Sequence, residues 1–93
     1  MKVLFERTCT ACPEQYDVYN EVGEGIGYVR LRWGTLYAEY PCINGEVIYE
    51  QNYEDKYKGS FGSEEERKST LQQIGEAYVR KIVGNEDTEI EVI

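Results

Sequence analysis

Two arginines, Arg30 and Arg32, have the clearest capacity for ligand chemistry in this sequence. Polar and apolar residues alternate from Tyr28 to Trp33, and this two-residue period is typical of a β-strand. Both guanidinium groups and the Tyr28 ring should therefore leave the same face of a sheet. A guanidinium group binds phosphate or carboxylate through paired hydrogen bonds. The pair predicts a site for a small anionic nucleotide.

Aromatic rings for such a site are abundant, because the 93 residues include nine tyrosines and one tryptophan. We expect Tyr28, Trp33 and Tyr16 to stack on the base, as exposed aromatic rings do in nucleotide sites. Tyrosine is also common in β-sheets and at protein interfaces. In the alternative interpretation, the arginines pair across strands with acidic neighbours such as Glu39 or Glu50.

The charge balance limits the classes of partner. The chain carries 10 Lys and Arg against 18 Asp and Glu, a net charge of −8. Direct binding to DNA or RNA is not expected, since a groove that follows a nucleic-acid backbone needs many cations. The carboxylates favour a second function, in which an acidic inhibitor mimics nucleic-acid phosphates and binds a nuclease or other nucleic-acid-binding protein of the host.

Catalysis is not expected. The sequence contains no histidine, which removes the commonest general base and every Ser-His or Cys-His arrangement. Carboxylates are numerous, but their spacing singles out no pair for acid–base chemistry. We therefore predict a protein that binds rather than an enzyme, and we predict no cofactor.

Three cysteines are weak candidates for a metal site. Cys9 and Cys12 form a CxxC pattern, and Cys42 is a third thiol. Structural zinc takes four Cys or His ligands, and this sequence offers three thiols and no imidazole. A thioredoxin-like role would need the CxxC at a helix start after a strand, whereas Pro13 and a short predicted strand follow it. Small buried thiols are the simpler interpretation.

The expected cellular location follows from the lack of membrane-insertion and secretion signals in the sequence. No apolar run approaches the roughly 20 residues of a membrane-spanning helix, and the charged residues Glu6 and Arg7 interrupt the N-terminal apolar run too early for a secretion signal. An odd number of cysteines fits a reducing compartment. We expect a cytoplasmic protein without a membrane partner.

The first two thirds of the chain predict an antiparallel meander, with tight turns at Gly34-Thr35 and Asn44-Gly45. Asn-Gly is the preferred pair for a type I′ hairpin turn, in which both central residues have positive φ. The Gly-rich segment from Gly23 to Gly27 is predicted to be a hairpin loop. The predicted strands are Val3–Phe5, Tyr16–Tyr19, Tyr28–Trp33, Leu36–Tyr40 and Glu46–Glu50.

A single helix is predicted after a polar loop. Ser63 and Glu66 have the spacing of a capping box, and Gly84 is placed to end the helix. An apolar stripe at helical spacing marks the buried face; it consists of Leu71, Ile74, Tyr78 and Ile82. Residues 1–93 should thus form one α+β domain, with a single antiparallel sheet of about five strands and one helix on one face. Residues 88–93 alternate again and could add a last strand at the sheet edge.

Two short motifs carry a resemblance to a known group of proteins. Residues 8–15 read TCTACPEQ and residues 28–34 read YVRLRWG. This pattern resembles the TCxACPxQ opening and the YxRxRxG strand of small bacteriophage and mobile-element proteins. The compact, acidic, Tyr-rich character is similar to that of phage anti-defence proteins as a class.

The resemblance implies a setting and a mode of action. It implies the cytoplasm of an infected bacterial host, and it implies capture of a partner rather than catalysis. The partner would be a small nucleotide signal, held by Arg30 and Arg32 with the rings beside them, or a host defence protein. A domain of this length has little room for a deep pocket, so we expect a homo-oligomer to complete the site.

Overall fold

The computed structural model describes residues 1–10 and 13–93. They form one mixed six-stranded sheet with a single helix packed on one face. The sheet order is β5-β4-β3-β2-β1-β6. The predicted α+β class is confirmed, with six strands instead of about five. The elements are β1 (Lys2–Thr10), β2 (Glu14–Tyr19), β3 (Gly25–Arg32), β4 (Thr35–Tyr40), β5 (Glu46–Asn52), α1 (Glu64–Ile82) and β6 (Glu89–Val92).

The last strand corrects the expected antiparallel sheet. β6 lies at the sheet edge, as predicted, but it runs parallel to β1 and pairs Lys2 with Glu89 and Phe5 with Val92. The helix has 19 residues and is therefore about 28 Å long. It returns the chain across the whole sheet to the end where β1 begins, and the Glu89 N–H donates to the Met1 carbonyl at 3.0 Å. From there the final strand runs in the direction of β1.

The core lies between α1 and the face of the sheet that we call the helix-covered face. Alternate residues of β2, β3 and β4 point to this face, as the strand period requires. The predicted stripe of α1 packs against them, with Leu71, Ile74 and Tyr78 fully buried and Ile82 partly buried. The sheet residues of this core are Val3, Phe5, Tyr16, Val18, Ile26, Val29, Leu31, Leu36 and Ala38.

Both predicted helix ends are confirmed. The Ser63 hydroxyl accepts the Glu66 N–H at 3.1 Å, and the Glu66 carboxylate accepts the Gly62 N–H at 2.5 Å. At the other end Gly84 has φ +88° and donates its N–H to the Val79 carbonyl at 3.0 Å, as a C-terminal glycine does. No helix of the described residues is long and apolar enough to cross a membrane.

The turns and the glycine segment differ from the sequence expectation. The β3–β4 turn consists of Trp33 and Gly34, with φ +54° and +73°, so Trp33 lies outside the strand. The β4–β5 connection spans residues 41–45, and the Gly45 N–H donates to the Cys42 carbonyl at 2.9 Å. Asn44 has positive φ and Gly45 does not, which excludes the predicted type I′ turn there. Residues 25–27 belong to β3 instead of a loop.

Buried tyrosines predict a loss of stability at alkaline pH. Burial raises the pKa of Tyr16 and of Tyr53 to about 12, and it also raises the pKa of Tyr78. An unfolded tyrosine ionises near pH 10, so above about pH 10 the folded state binds more protons and the free energy of unfolding falls as pH rises. We expect roughly 1.4 kcal/mol per pH unit for each fully buried tyrosine, measured by urea denaturation.

The matched variant for this prediction is Tyr16→Phe. Removing the buried hydroxyl should reduce the slope of unfolding free energy against pH, whatever its effect on stability at neutral pH. An unfolding free energy that stays constant between about pH 9 and pH 11 would contradict the assignment.

Candidate functional site

An exposed aromatic corner forms where β3 turns into β4. Trp33 is 63% exposed and Tyr57 is 80% exposed, and their rings meet edge to face with centroids 6.3 Å apart. Together with Arg32 and Gly59 they line a cleft of about 160 Å³. We call these four residues the Trp33 corner. It offers two aromatic surfaces and one cation to a ligand.

Arg32 supplies the charge of the Trp33 corner. Its guanidinium carbon lies 5.9 Å from the centre of the Trp33 ring, a cation–π contact that leaves its hydrogen-bond donors available. None of the ion pairs among residues 1–10 and 13–93 includes Arg32. Its guanidinium group is therefore available to bind an external anion.

The loop that carries Tyr57 is held over the turn by backbone hydrogen bonds. The Gly34 N–H donates to the Lys58 carbonyl at 2.9 Å, and the Gly34 carbonyl accepts the Tyr53 N–H at 2.8 Å. A side chain at Gly34 would meet the Asp55 carbonyl oxygen at 2.6 Å. Glycine allows this close approach as well as the positive φ, so the two rings are positioned by a fixed backbone arrangement.

A second cation occupies the middle of the helix-free face. Arg30 lies opposite Gln15 on β2 and Tyr37 on β4, with its guanidinium carbon 5.1 Å from the centre of the Tyr37 ring. It donates a hydrogen bond to the Tyr37 hydroxyl, and its Nε is buried without a partner among the described residues. Arg30 is thus half-buried and held by an aromatic neighbour.

The structure brings together three of the five predicted site residues on one face. Tyr28, Arg30 and Arg32 alternate with the core residues of β3, so all three lie on the helix-free face. Tyr28 is 8% exposed, and its hydroxyl donates to Gln15 at 2.9 Å, so its ring supports the face and is not open for stacking. Trp33 reaches Arg32 from the turn.

Tyr16 belongs elsewhere. Its ring is fully buried on the helix-covered face and packs edge to face on Phe5, with centroids 6.1 Å apart. The strand period explains this placement, because β2 also directs Val18 to the core. Tyr16 therefore cannot contact a ligand that Arg32 holds.

The alternative in which the arginines pair with acidic neighbours is not what the structure shows. Glu39 lies opposite Tyr28 and Glu50 lies opposite Tyr37. None of the ion pairs within the described part of the chain joins either carboxylate to Arg30 or Arg32. Aromatic rings take the place of carboxylates beside both guanidinium groups.

Sequence reasoning missed Tyr57. It lies in the polar stretch after β5, 24 residues beyond Trp33 in the numbering of the chain, and no periodicity connects the two. The available signal was an aromatic residue between two lysines, Lys56 and Lys58.

A buried ion pair lies at the same end of the sheet. Glu14 is fully buried, and its carboxylate accepts hydrogen bonds from Arg67 Nε at 2.8 Å, from the Phe61 N–H at 3.1 Å and from the Tyr16 hydroxyl. Burial alone would raise the pKa of Glu14, but these three donors outweigh it and hold the pKa below its usual value. The Glu14 N–H also donates to the Gly59 carbonyl at 2.7 Å, which links the network to the Trp33 corner.

The cysteines do not meet in one described site. Cys9 lies near the end of β1, opposite Gln15, whereas Cys42 lies in the connection at the other end of the sheet. Cys12, the second thiol of the CxxC pattern, lies outside the described residues. Within the described ranges, no group of three His, Cys, Asp or Glu side chains is arranged to hold a metal ion.

Comparisons with known proteins give no relative for this chain: no family model, no curated protein and no solved structure matches it. The function is therefore inferred from the geometry of the Trp33 corner and from the sequence motifs.

Proposed function

We propose that this protein is a non-enzymatic binding protein that sequesters a small anionic nucleotide at the Trp33 corner. The rings of Trp33 and Tyr57 take the base, and Arg32 takes a phosphate. The observation that carries this proposal is the exposure of a tryptophan in a left-handed backbone conformation next to an arginine without a carboxylate partner among the described residues.

The backbone conformation of Trp33 is costly. Left-handed φ costs a residue with a Cβ atom about 1 kcal/mol or more, and bulky residues rarely adopt it outside functional sites. Asn or Asp would suit this turn position better. A tryptophan that is also largely exposed contributes little core packing in return. Ligand binding gives a physical reason for its presence.

The size of the cleft limits what one protomer can enclose. About 160 Å³ is well below the roughly 300 Å³ or more of typical small-molecule sites, so the corner can enclose one ring and leaves the rest of a nucleotide outside. We therefore propose that a second protomer completes the site. The resemblance to small phage proteins implies that the ligand is a signalling nucleotide of an infected bacterial host, and that its capture serves phage anti-defence.

The proposed function is tested by titration calorimetry with AMP, adenosine and ribose 5-phosphate as probes. AMP should bind more tightly than either fragment, because the corner contacts the base and the phosphate together. Arg32→Ala should weaken AMP binding by about 10- to 100-fold, the effect of losing one charge-assisted hydrogen-bonding group. Native mass spectrometry of the same samples counts protomers per bound nucleotide.

The matched control is Arg80→Ala, which removes the same charge from an exposed position near the end of α1. It should change AMP affinity less than about twofold, because distant exposed charges are screened by salt. Equal weakening by both variants, or equal affinity for AMP and adenosine, would overturn the assignment of Arg32 to the phosphate.

A further inference from the structure

A groove separate from the Trp33 corner opens on the helix-free face at the opposite end of the sheet. It has a volume of about 310 Å³. Two tyrosines of the sheet and the apolar β4–β5 connection form its sides, and Asp17 is its one carboxylate. We call it the Asp17 groove; its lining includes Asp17, Tyr19, Gly25, Tyr28, Pro41 and Ile43.

Gly25 keeps the groove open. It pairs with Tyr19 across the strands, so a side chain at this position would stand on the same face as the Tyr19 ring. A Cβ atom built there meets nothing within 4 Å, and φ at Gly25 is not in the left-handed region. A larger residue could therefore occupy this position without backbone strain, and it would fill the groove.

Three carboxylates form a row across neighbouring strands, with Asp17 in the groove and Glu6 and Glu39 beside it. Glu6 lies directly opposite Asp17, and Asp17 lies opposite Tyr28, which in turn lies opposite Glu39. None of the ion pairs found in residues 1–10 and 13–93 includes any of the three. We call Glu6, Asp17 and Glu39 the acidic row.

The acidic row is unfavourable for the isolated protein. Like charges directly opposite each other on neighbouring strands destabilise a sheet, as Glu6 and Asp17 do here. An external cation would relieve this repulsion.

The field of these charges acts at the groove itself. Burial raises the pKa of the Tyr28 hydroxyl, Arg30 opposes the rise, and the negative charges of Asp17 and Glu39 add to it. Arg30 makes no ion pair with the row in the described part of the chain, because its guanidinium group contacts the Tyr37 ring and donates to the Tyr37 hydroxyl. The Tyr19 hydroxyl donates to Glu6 at 3.3 Å, which connects that carboxylate to the groove wall.

We propose that the Asp17 groove and the acidic row form a docking surface for a basic segment of a partner protein. The aliphatic stem of an arginine or lysine side chain lies against Tyr19, Pro41 and Ile43, and its charged end meets Asp17. Ile43 is 54% exposed, which gives the segment an apolar contact at the rim. Charge complementarity with the acidic row selects a cationic partner.

Fluorescence anisotropy at low ionic strength tests this surface, with a short labelled peptide of Arg-Leu-Gly repeats as the probe. The same peptide with citrulline in place of arginine is the neutral control and should not bind. Asp17→Asn should weaken binding of the arginine peptide by about 10-fold through loss of one charge-assisted contact. Gly25→Leu, which fills the groove and leaves the charge unchanged, should weaken it by a similar factor.

Glu76→Gln is the matched control, since it removes one negative charge from the exposed face of α1. It should change the affinity less than about twofold. Equal weakening by Glu76→Gln and Asp17→Asn would show diffuse attraction to an acidic protein and overturn the proposal, as would full binding by Gly25→Leu. AMP binding at the Trp33 corner should be the same in Asp17→Asn as in the unchanged protein, so the two sites are tested separately.

Discussion

Replacing Trp33 by asparagine is expected to abolish most nucleotide binding while the fold keeps its stability. The ring supplies a stacking surface, and loss of stacking on one base costs about 1–3 kcal/mol, or roughly 5- to 150-fold in affinity. The new asparagine would precede Gly34 in a turn whose residues both have positive φ, the arrangement that an Asn-Gly pair prefers. Calorimetric titration with AMP measures the first effect, and urea denaturation measures the second.

The stability expectation separates function from folding. Asparagine relieves a backbone cost of about 1 kcal/mol, whereas the edge-to-face contact with Tyr57 and the cation–π contact with Arg32 are lost. These contributions are of similar size, so the free energy of unfolding should change by less than about 1 kcal/mol.

A matched control for Trp33→Asn is Val22→Asn, which removes an exposed apolar side chain from the turn at the other end of the sheet. It should leave AMP affinity unchanged. A loss of stability of several kcal/mol in Trp33→Asn would show that the tryptophan is structural, and retained binding would remove it from the site.

Glu14→Gln is expected to destabilise the fold strongly. The substitution keeps the shape of the side chain and removes the charge that faces Arg67 at 2.8 Å. Breaking one partner of a buried ion pair costs about 3–5 kcal/mol, a large part of the roughly 5–15 kcal/mol that stabilises a typical domain. We expect about 3 kcal/mol, the lower end of that range, because Arg67 keeps its contact with Glu64. Urea denaturation at neutral pH measures the loss.

The pH dependence of the same variant gives a second readout. The pKa of Glu14 is below its usual value in the folded state, so its contribution to stability is complete above about pH 4.5 and is lost as pH falls through the lower folded value. Glu14→Gln lacks this contribution at every pH. Its unfolding free energy should therefore decrease less between neutral and acidic pH than that of the unchanged protein.

Glu64→Gln is the control for the buried pair, because Glu64 contacts the same arginine from an exposed position. Surface ion pairs contribute about 0–1 kcal/mol, so this variant should be nearly neutral. The double change Glu14→Gln with Arg67→Met should recover part of the loss, since no buried cation is left unpaired. Equal stability of Glu14→Gln and Glu64→Gln would contradict the role assigned to the network.

Local sequence patterns predicted the secondary-structure elements that one hydrophobic period or one helix cap is sufficient to define. The stripe from Leu71 to Ile82 and the cap at Ser63 located α1, because helix periodicity and capping act within a few residues. The alternation from Tyr28 to Arg32 predicted that both arginines leave one face. The turn at Trp33 was misplaced by one residue, because alternation continues into a turn without a visible signal.

Those local patterns could not predict contacts between residues that are far apart in the sequence. The partners of Glu14 include Arg67 and Phe61, and the partner of Trp33 is Tyr57. At least two strands separate the members of each pair along the chain. The direction of β6 depends on the end of the sheet to which α1 returns the chain. That end is set by the length of the helix relative to the size of the sheet. No residue of β6 indicates by itself whether the strand runs parallel or antiparallel to β1.

The sequence by itself determined the fold class, one helix on a β-sheet, and the shared face of Arg30 and Arg32. Both follow from which side chains are buried on folding, and the residue pattern of each short segment indicates this by itself. Only the tertiary structure decided that Tyr16 belongs to the core, that Tyr57 joins Trp33, and that Arg30 and Arg32 lie beside rings instead of carboxylates. Those outcomes depend on which strands become neighbours, and strand pairing is set by the whole chain at once.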